Sequence, residues 1–178
     1  MEIENTFIEG LKIVHLNKIS DNRGSFTKMF NEDIFKSNNL RIDIKESYFS
    51  VSDQHVIRGM HFQSPPAEHS KLVFVNKGSI IDVVLDIRKN SATFGQYFTT
   101  TVSEDKPKLI YIPVGCAHGF LSLKDHTIVS YMQTSVYNKE CDHGIHYNSF
   151  NFDWGVKVPI LSARDEAFVT LKDCKNLF

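Results

Sequence analysis

The stretch Leu72-Val73-Phe74-Val75, closed by Lys77-Gly78 and followed by Ile80-Ile81-Asp82-Val83-Val84-Leu85-Asp86, reads as two consecutive β-strands around a glycine turn. The first strand is short, apolar and rich in β-branched and aromatic residues, which suit a pleated, buried surface. The second is an apolar run with two carboxylates set into it. The same signature repeats further along the chain, in Tyr97-Phe98-Thr99-Thr100-Thr101-Val102, Leu109-Ile110-Tyr111-Ile112 and Thr127-Ile128-Val129-Ser130-Tyr131-Met132. Turns rich in Gly, Pro, Asn and Asp separate these runs, a spacing that predicts a β-sandwich or barrel. Helix is expected only at Glu32-Asp33-Ile34-Phe35-Lys36 and over the last dozen residues. No internal repeat, low-complexity tract or linker divides the chain, so residues 1–178 are read as one domain. Fourteen Phe and six Tyr are many for this length, and most of them are expected to pack between sheets.

Composition narrows the possible functions. A hydrophobic share of 42% with 23% charged residues is ordinary for a globular chain. The net charge of −1 gives no overall attraction to nucleic acid or to an anionic membrane, so any anionic ligand must be met by a local basic cluster. No apolar run is long enough to span a bilayer, and Met1-Glu2-Ile3-Glu4-Asn5 does not read as a signal peptide. The expected compartment is the cytoplasm. Cys116, Cys141 and Cys174 are odd in number and lack CxxC spacing, so neither a disulfide framework nor a zinc knot is expected. Cys116 is read as a small buried apolar residue.

The residues able to carry chemistry fall in order along the chain: Arg58, His61, Lys71, His118 and Tyr131. Histidine is the usual general base near neutral pH, and a phenol with an ordinary pKa near 10 is a proton donor there. A cation beside a ketone oxygen holds an enolate. Strand alternation puts Arg58 and His61 on opposite faces unless the strand bends or the arginine wraps around. Lys71 is either a water-exposed edge cation or a buried functional one. Ile112-Pro113-Val114-Gly115-Cys116-Ala117-His118-Gly119-Phe120 reads as a Pro-Gly turn between two strands with His118 at its end. Asp82 and Asp86 share a strand face and need partners if that face is buried, and Arg88 is the local candidate.

The Pro-x-Gly-x-x-His spacing is also the second half of the cupin metal motif. The first half needs His-x-His with a following Glu, whereas His61 stands alone before Phe62-Gln63. His69 or Glu68 would have to be recruited, so no metal is expected. His143-Gly144-Ile145-His146 has two histidines and no third ligand nearby, and reads as a solvated turn.

Taken together, Asp21-Asn22-Arg23-Gly24-Ser25-Phe26, Val56-Ile57-Arg58-Gly59-Met60-His61-Phe62-Gln63, Lys71-Leu72-Val73, Asp82-Val83-Val84-Leu85-Asp86-Ile87-Arg88, Ser91-Ala92-Thr93-Phe94-Gly95, the 112–120 segment, Tyr131 and Leu161-Ser162-Ala163-Arg164-Asp165 resemble the dTDP-4-dehydrorhamnose 3,5-epimerase family. The likeness runs from about Ile8 to Asp165. It implies an all-β, cupin-type double-stranded β-helix (jelly roll) with a few short helices. It also implies an epimerase that inverts C3 and/or C5 of a nucleotide-linked 4-keto-6-deoxy sugar in deoxysugar biosynthesis.

The resemblance further implies roles for individual residues. His61 matches the catalytic base, Asp165 the carboxylate that orients it, Tyr131 the opposing acid and Lys71 the cation near the C4 oxygen. Arg58 and His118 match residues that hold the sugar nucleotide, and Ser50 and Gln63 are added to that binding set. Arg23 and Phe26 match a segment that reaches into the neighbouring subunit's site, and Tyr137 matches a mobile aromatic near the base. Family members are homodimers without a metal or organic cofactor, and neither nucleic acid nor membrane is an expected partner.

Three positions depart from the family pattern. Lys28 replaces a common Glu, while Glu46 and Tyr48 replace Gln and Asn. The altered positions shape the nucleotide end of the site, and Lys28 with Glu46 is expected to form a compensating charge pair. Two alternatives stand beside the epimerase: a metal-dependent cupin enzyme and a non-catalytic sugar-nucleotide-binding cupin. The missing His-x-His argues against the first and the intact proton-transfer set against the second. Single and double epimerisation use the same residues and are not separable at this level.

Overall fold

Leu72 and Phe74 pack into one apolar cluster and Val73 and Val75 into another, so both faces of this strand are buried and its sequence is continuously apolar. A computed structural model describes residues 1–41, 43–175 and 178. In chain order its elements are β1 (Glu2–Asn5), β2 (Lys12–His15), β3 (Lys18–Asp21), β4 (Gly24–Thr27), α1 (Glu32–Ser37), β5 (Glu46–Ser52), β6 (Ile57–Gln63), β7 (Lys71–Lys77), β8 (Ser79–Asp86), β9 (Tyr97–Ser103), β10 (Lys108–Ile112), β11 (Cys116–Ser122), β12 (Thr127–Gln133), β13 (Asp142–Gly144) and α2 (Ala163–Glu166).

One antiparallel sheet has the order β1-β2-β10-β7-β12-β5, and a second has β13-β6-β11-β8-β9. Val73, Val75, Ile110, Val129 and Tyr131 of the first meet Ile80, Val84, Val102 and Phe120 of the second in a shared core. The spacing of the apolar runs predicts a sandwich or barrel, and the two packed sheets are the sandwich, with the jelly-roll form that the family resemblance implies. Outside the first sheet, Leu72, Phe74, Leu109 and Tyr111 are covered by Phe35 of α1 and by Leu40. Outside the second, Met60, Phe62, Val83, Leu85 and Leu121 are covered by Ile145, Phe150, Trp154 and Cys174 of the C-terminal segment. The β3–β4 hairpin forms a separate two-stranded sheet. Among the described residues no helix is long and apolar enough to cross a membrane.

The structure corrects several sequence expectations. α1 forms where expected, with the Asn31 side chain capping the Ile34 N–H. The described part of the last dozen residues forms no helix; Asn176 and Leu177 lie outside the described residues. Val169 instead pairs with Ile145, and Leu171, Cys174 and Phe178 pack along the second sheet. Extended chain covers a sheet face that one helical stripe would not. Asp142-His143-Gly144 is not a solvated turn but a strand completing the edge of β6, and Ile145 beyond it is fully buried. His118 lies inside β11, the third residue of that strand, and not at the end of the preceding turn. Gly115 makes the turn at φ +82°, where a Cβ would lie 2.4 Å from Arg88 Cγ.

β6 carries the feature that most affects the site. Its register with β11 pairs His61 with His118 but Arg58 with Phe120, so β6 spends one more residue than its partner between those pairs. This β-bulge turns Arg58 and His61 to the same side. At the bulge Gly59 has φ +126°, and a Cβ there would sit 2.5 Å from Gly119 Cα.

Candidate active site

A cleft of about 310 Å³ opens between the two sheets at one end of the sandwich. β6 and β11 bring Arg58, His61 and His118 to it; β5, β7 and β12 bring Glu46, Tyr48, Ser50, Lys71, Tyr131 and Gln133. Alternation explains the second group, because Glu46, Tyr48 and Ser50 are two residues apart on β5, as Tyr131 and Gln133 are on β12. Tyr48 lies opposite Tyr131 in the ladder, and their rings stack with centroids 4.8 Å apart.

His61 Nε2 lies 2.8 Å from Asp165 Oδ1. The carboxylate accepts, so Nε2 donates the proton of that bond and Nδ1 is the nitrogen not held by Asp165. Asp165 is fixed from two further sides. Its Oδ2 accepts the Gly59 N–H at 3.1 Å, and its own N–H donates to Ser162 Oγ, the cap of α2. Burial alone would raise the Asp165 carboxyl, but the bonds from His61 and Gly59 outweigh it and hold the group below its ordinary value. The edge of the His61 ring meets Phe168 at a centroid distance of 5.6 Å.

Lys71 is the buried cation of the two readings, 7% exposed. Burial lowers its ammonium to about 8, with Asp142 and Asp82 opposing. Tyr131 is buried, which pushes its phenol above the ordinary value and keeps it protonated; its hydroxyl is 3.4 Å from Ser50 Oγ. Tyr48, also buried in part and facing Glu46 and Asp142, is pushed up to about 12.

His118 is paired with Asp82, at 2.7 Å, and Arg88 serves Asp86. In the ladder His118 stands opposite Val84, which makes Asp82 its diagonal neighbour on the same face. Burial outweighs Asp82 and lowers the His118 imidazole, so it stays neutral. Asp86 is held by Arg88, Ser91 and Thr93; burial works against these bonds, yet they bring its carboxyl down to about 2. Cys116 is buried as expected, and burial lifts its thiol to about 12.

The remaining sequence candidates divide. Arg58 lines the cleft, held by Ser52 Oγ at 2.9 Å and Val51 O at 3.0 Å. Gln63 lines it too, its amide holding Ala67 O, Val136 O and the Asn138 N–H. Tyr137 lies at the rim, with an exposed ring. Arg23 and Phe26 are not brought to this cleft; they project on the β3–β4 hairpin, where Arg23 pairs with Asp21. Among the described residues no ion pair joins Lys28 to Glu46; Glu46 instead accepts the Tyr137 backbone N–H. Among the described residues no three His, Cys, Asp or Glu side chains gather as a metal site. The sequence reading missed Asp142 and Arg164, which pair at 2.7 Å on the cleft wall. The one available signal was Arg164 beside Asp165 in a motif already singled out.

Groups able to take up and return a proton on either wall of one cleft, set in a jelly roll, are what a cupin-type isomerase requires. The profile of the dTDP-4-dehydrorhamnose 3,5-epimerase family matches residues 5–173. The chain is 36% identical over 173 residues to the dTDP-4-dehydrorhamnose 3,5-epimerase of Methanothermobacter thermautotrophicus, covering 94% of this chain and 93% of that one. It is 29% identical to the dTDP-4-dehydrorhamnose 3-epimerase of Streptomyces niveus, covering 95% and 83%. The crystal structure of dTDP-6-deoxy-D-glucose-3,5-epimerase from Legionella pneumophila, in complex with dTDP-4-keto-L-rhamnose, superposes with a TM-score of 0.92 at 34% identity over 97% of this chain and 93% of that one. The chain belongs to the dTDP-4-dehydrorhamnose 3,5-epimerase family and is an epimerase.

Proposed function

We propose that the chain inverts C3, C5 or both in a dTDP-linked 4-keto-6-deoxy sugar, through an enolate, with His61 as base and Tyr131 as acid. In such a sugar both carbons flank the C4 ketone, so the one carbonyl acidifies either proton, and removal of either gives an enolate with its charge on the same C4 oxygen. No redox or carbanion-stabilising cofactor is needed. His61 Nδ1 removes the proton, and Asp165 holds the ring and stabilises the imidazolium that forms. Lys71, as ammonium, favours the enolate oxygen over the ketone; losing such a donor costs on the order of 10²–10³ in rate. Tyr131 returns a proton to the opposite face, and the inverted centre results.

The observation that carries this reading is that His61 and Tyr131 stand on opposite sheets and line one cleft that also holds Lys71. Binding of the sugar nucleotide is assigned to Arg58, His118, Ser50, Gln63 and Tyr137. Arg58 suits a diphosphate because a guanidinium forms forked hydrogen bonds. We further propose a homodimer, working in the cytoplasm, in which Arg23 and Phe26 complete the partner's site. Exposed Ile19 and Phe26 on the hairpin, with Phe49 and Val51 on the edge strand β5, support that pairing.

The test is mass spectrometry of dTDP-4-keto-6-deoxyglucose incubated with the protein in D₂O. Two deuteriums gained mean exchange at C3 and C5, and one means a mono-epimerase. His61→Ala and Tyr131→Phe should each remove most product formation without lowering the melting temperature. Normal epimerisation at C5 by Tyr131→Phe would overturn the two-face scheme.

A further inference from the structure

Glu46 begins β5 at the rim of the cleft. Its Oε2 accepts the backbone N–H of Tyr137 at 2.5 Å, 91 positions away in sequence. That N–H belongs to the segment joining β12 to β13, which has no regular structure of its own. The segment is pinned from the other side by Gln63 of β6, whose Oε1 accepts the Asn138 N–H at 2.7 Å and whose Nε2 donates to Val136 O at 3.2 Å. Tyr137 itself is 58% exposed, so packing of its ring does not fix its place. Its backbone attachments do. The start of β5 is itself registered on β12 by the Lys45 N–H to Gln133 O bond, so the carboxylate is presented from a rigid strand.

We propose that Glu46 is a positioning residue: its carboxylate ties down the segment carrying Tyr137, making that ring a fixed wall of the cleft. The tether thereby sets how firmly the cleft closes on its ligand. For the identity of that ligand the proposal rests on the epimerase reading above. A carboxylate only accepts, so its bond to an N–H has one polarity and is charge-assisted. A glutamine at this position would still accept through its amide oxygen, more weakly. An alanine would not.

The experiment compares wild type with Glu46→Ala and Glu46→Gln. Amide exchange at Tyr137 is read by NMR without ligand, and KM and kcat are read with dTDP-4-keto-6-deoxyglucose. In Glu46→Ala the Tyr137 amide should exchange about tenfold faster and KM should rise about tenfold, the lower end for losing a hydrogen bond to a charged group. kcat and melting temperature should change little. Glu46→Gln should retain most of the protection and most of the affinity. Unchanged exchange at Tyr137 in Glu46→Ala overturns the tether. Weakened affinity in Glu46→Gln with the Tyr137 amide still protected also overturns it, since the charge and not the tether would then be decisive. Faster exchange with unaltered KM overturns the link to closure. A wild-type protein that puts no deuterium into the sugar would sink the choice of dTDP-4-keto-6-deoxyglucose as its ligand, while the ligand-free amide measurement would still decide the tether.

Discussion

His61 owes its orientation to one carboxylate, and that carboxylate owes its place to a strand amide and a helix cap. Asp165→Asn keeps the shape but offers an amide where the imidazolium needs a charge. It should lower kcat by about 10²-fold, within the range for general acid–base steps, with KM little changed in steady-state assays. The pH profile is expected to report Lys71. Its ammonium is lowered to about 8, and only the charged form holds an enolate, so the rate should fall as pH rises through about 8. In Lys71→Arg, whose group stays charged, that alkaline limb should vanish even though the rate drops. A wild-type profile flat to strongly alkaline pH would remove Lys71 from the proposed role. The residue types and their order were legible in the sequence, and so was Arg88 for Asp86, two positions apart. Asp82 with His118 was not, because the strand register that makes them diagonal neighbours is not written in either strand alone. Asp142 with Arg164 escaped because β13 and α2 meet only in the folded chain.

The bulge on β6 is the element on which the cleft turns. Simple alternation put Arg58 and His61 on opposite faces; the extra residue reconciles them. Nothing in the segment's own pattern announces a bulge, since it is a property of pairing with β11. The one local hint was Gly59. Gly59→Ala would need a strained φ and a Cβ 2.5 Å from the neighbouring strand. It should cost about 2–4 kcal/mol, read as a fall of about 5–15 °C in melting temperature, together with weaker sugar-nucleotide binding. A variant that melts like wild type would mean the strand finds another path. Five strands, β7 to β10 and β12, were by contrast legible to within a residue or two. Their runs of β-branched, apolar and aromatic residues between turn signals mark them as strands. The helix expected at the C-terminus failed because cover for a sheet, not amphipathic spacing, governs that segment.

Seen whole, the molecule keeps two of its sequence-assigned site residues, Arg23 and Phe26, away from its own cleft, on the β3–β4 hairpin. If that hairpin completes a partner's site, mixing inactive Arg23→Ala chains with inactive His61→Ala chains should restore turnover. A mixed dimer then contains one site with an intact base and an intact incoming hairpin. Mixtures as inactive as their parts, from chains shown to exchange, would confine each site to one subunit. A sandwich or barrel was legible from the sequence because the sheets are built from short, closely spaced strands; the jelly roll came only with the family resemblance. Of the covering layers α1 was legible and the cover of the second sheet was not, because the residues of that C-terminal segment lack periodicity.

That outer layer has a consequence in time. Asp165 lies on the segment that packs last in chain order, beyond every strand of the two sheets. A chain emerging from a ribosome therefore presents every strand of both sheets before α2 supplies Arg164 to the cleft wall and a carboxylate to the proposed base. The residues assigned to sugar-nucleotide binding come first and the carboxylate last, so a chain clipped before α2 is expected to lose conversion more completely than it loses binding.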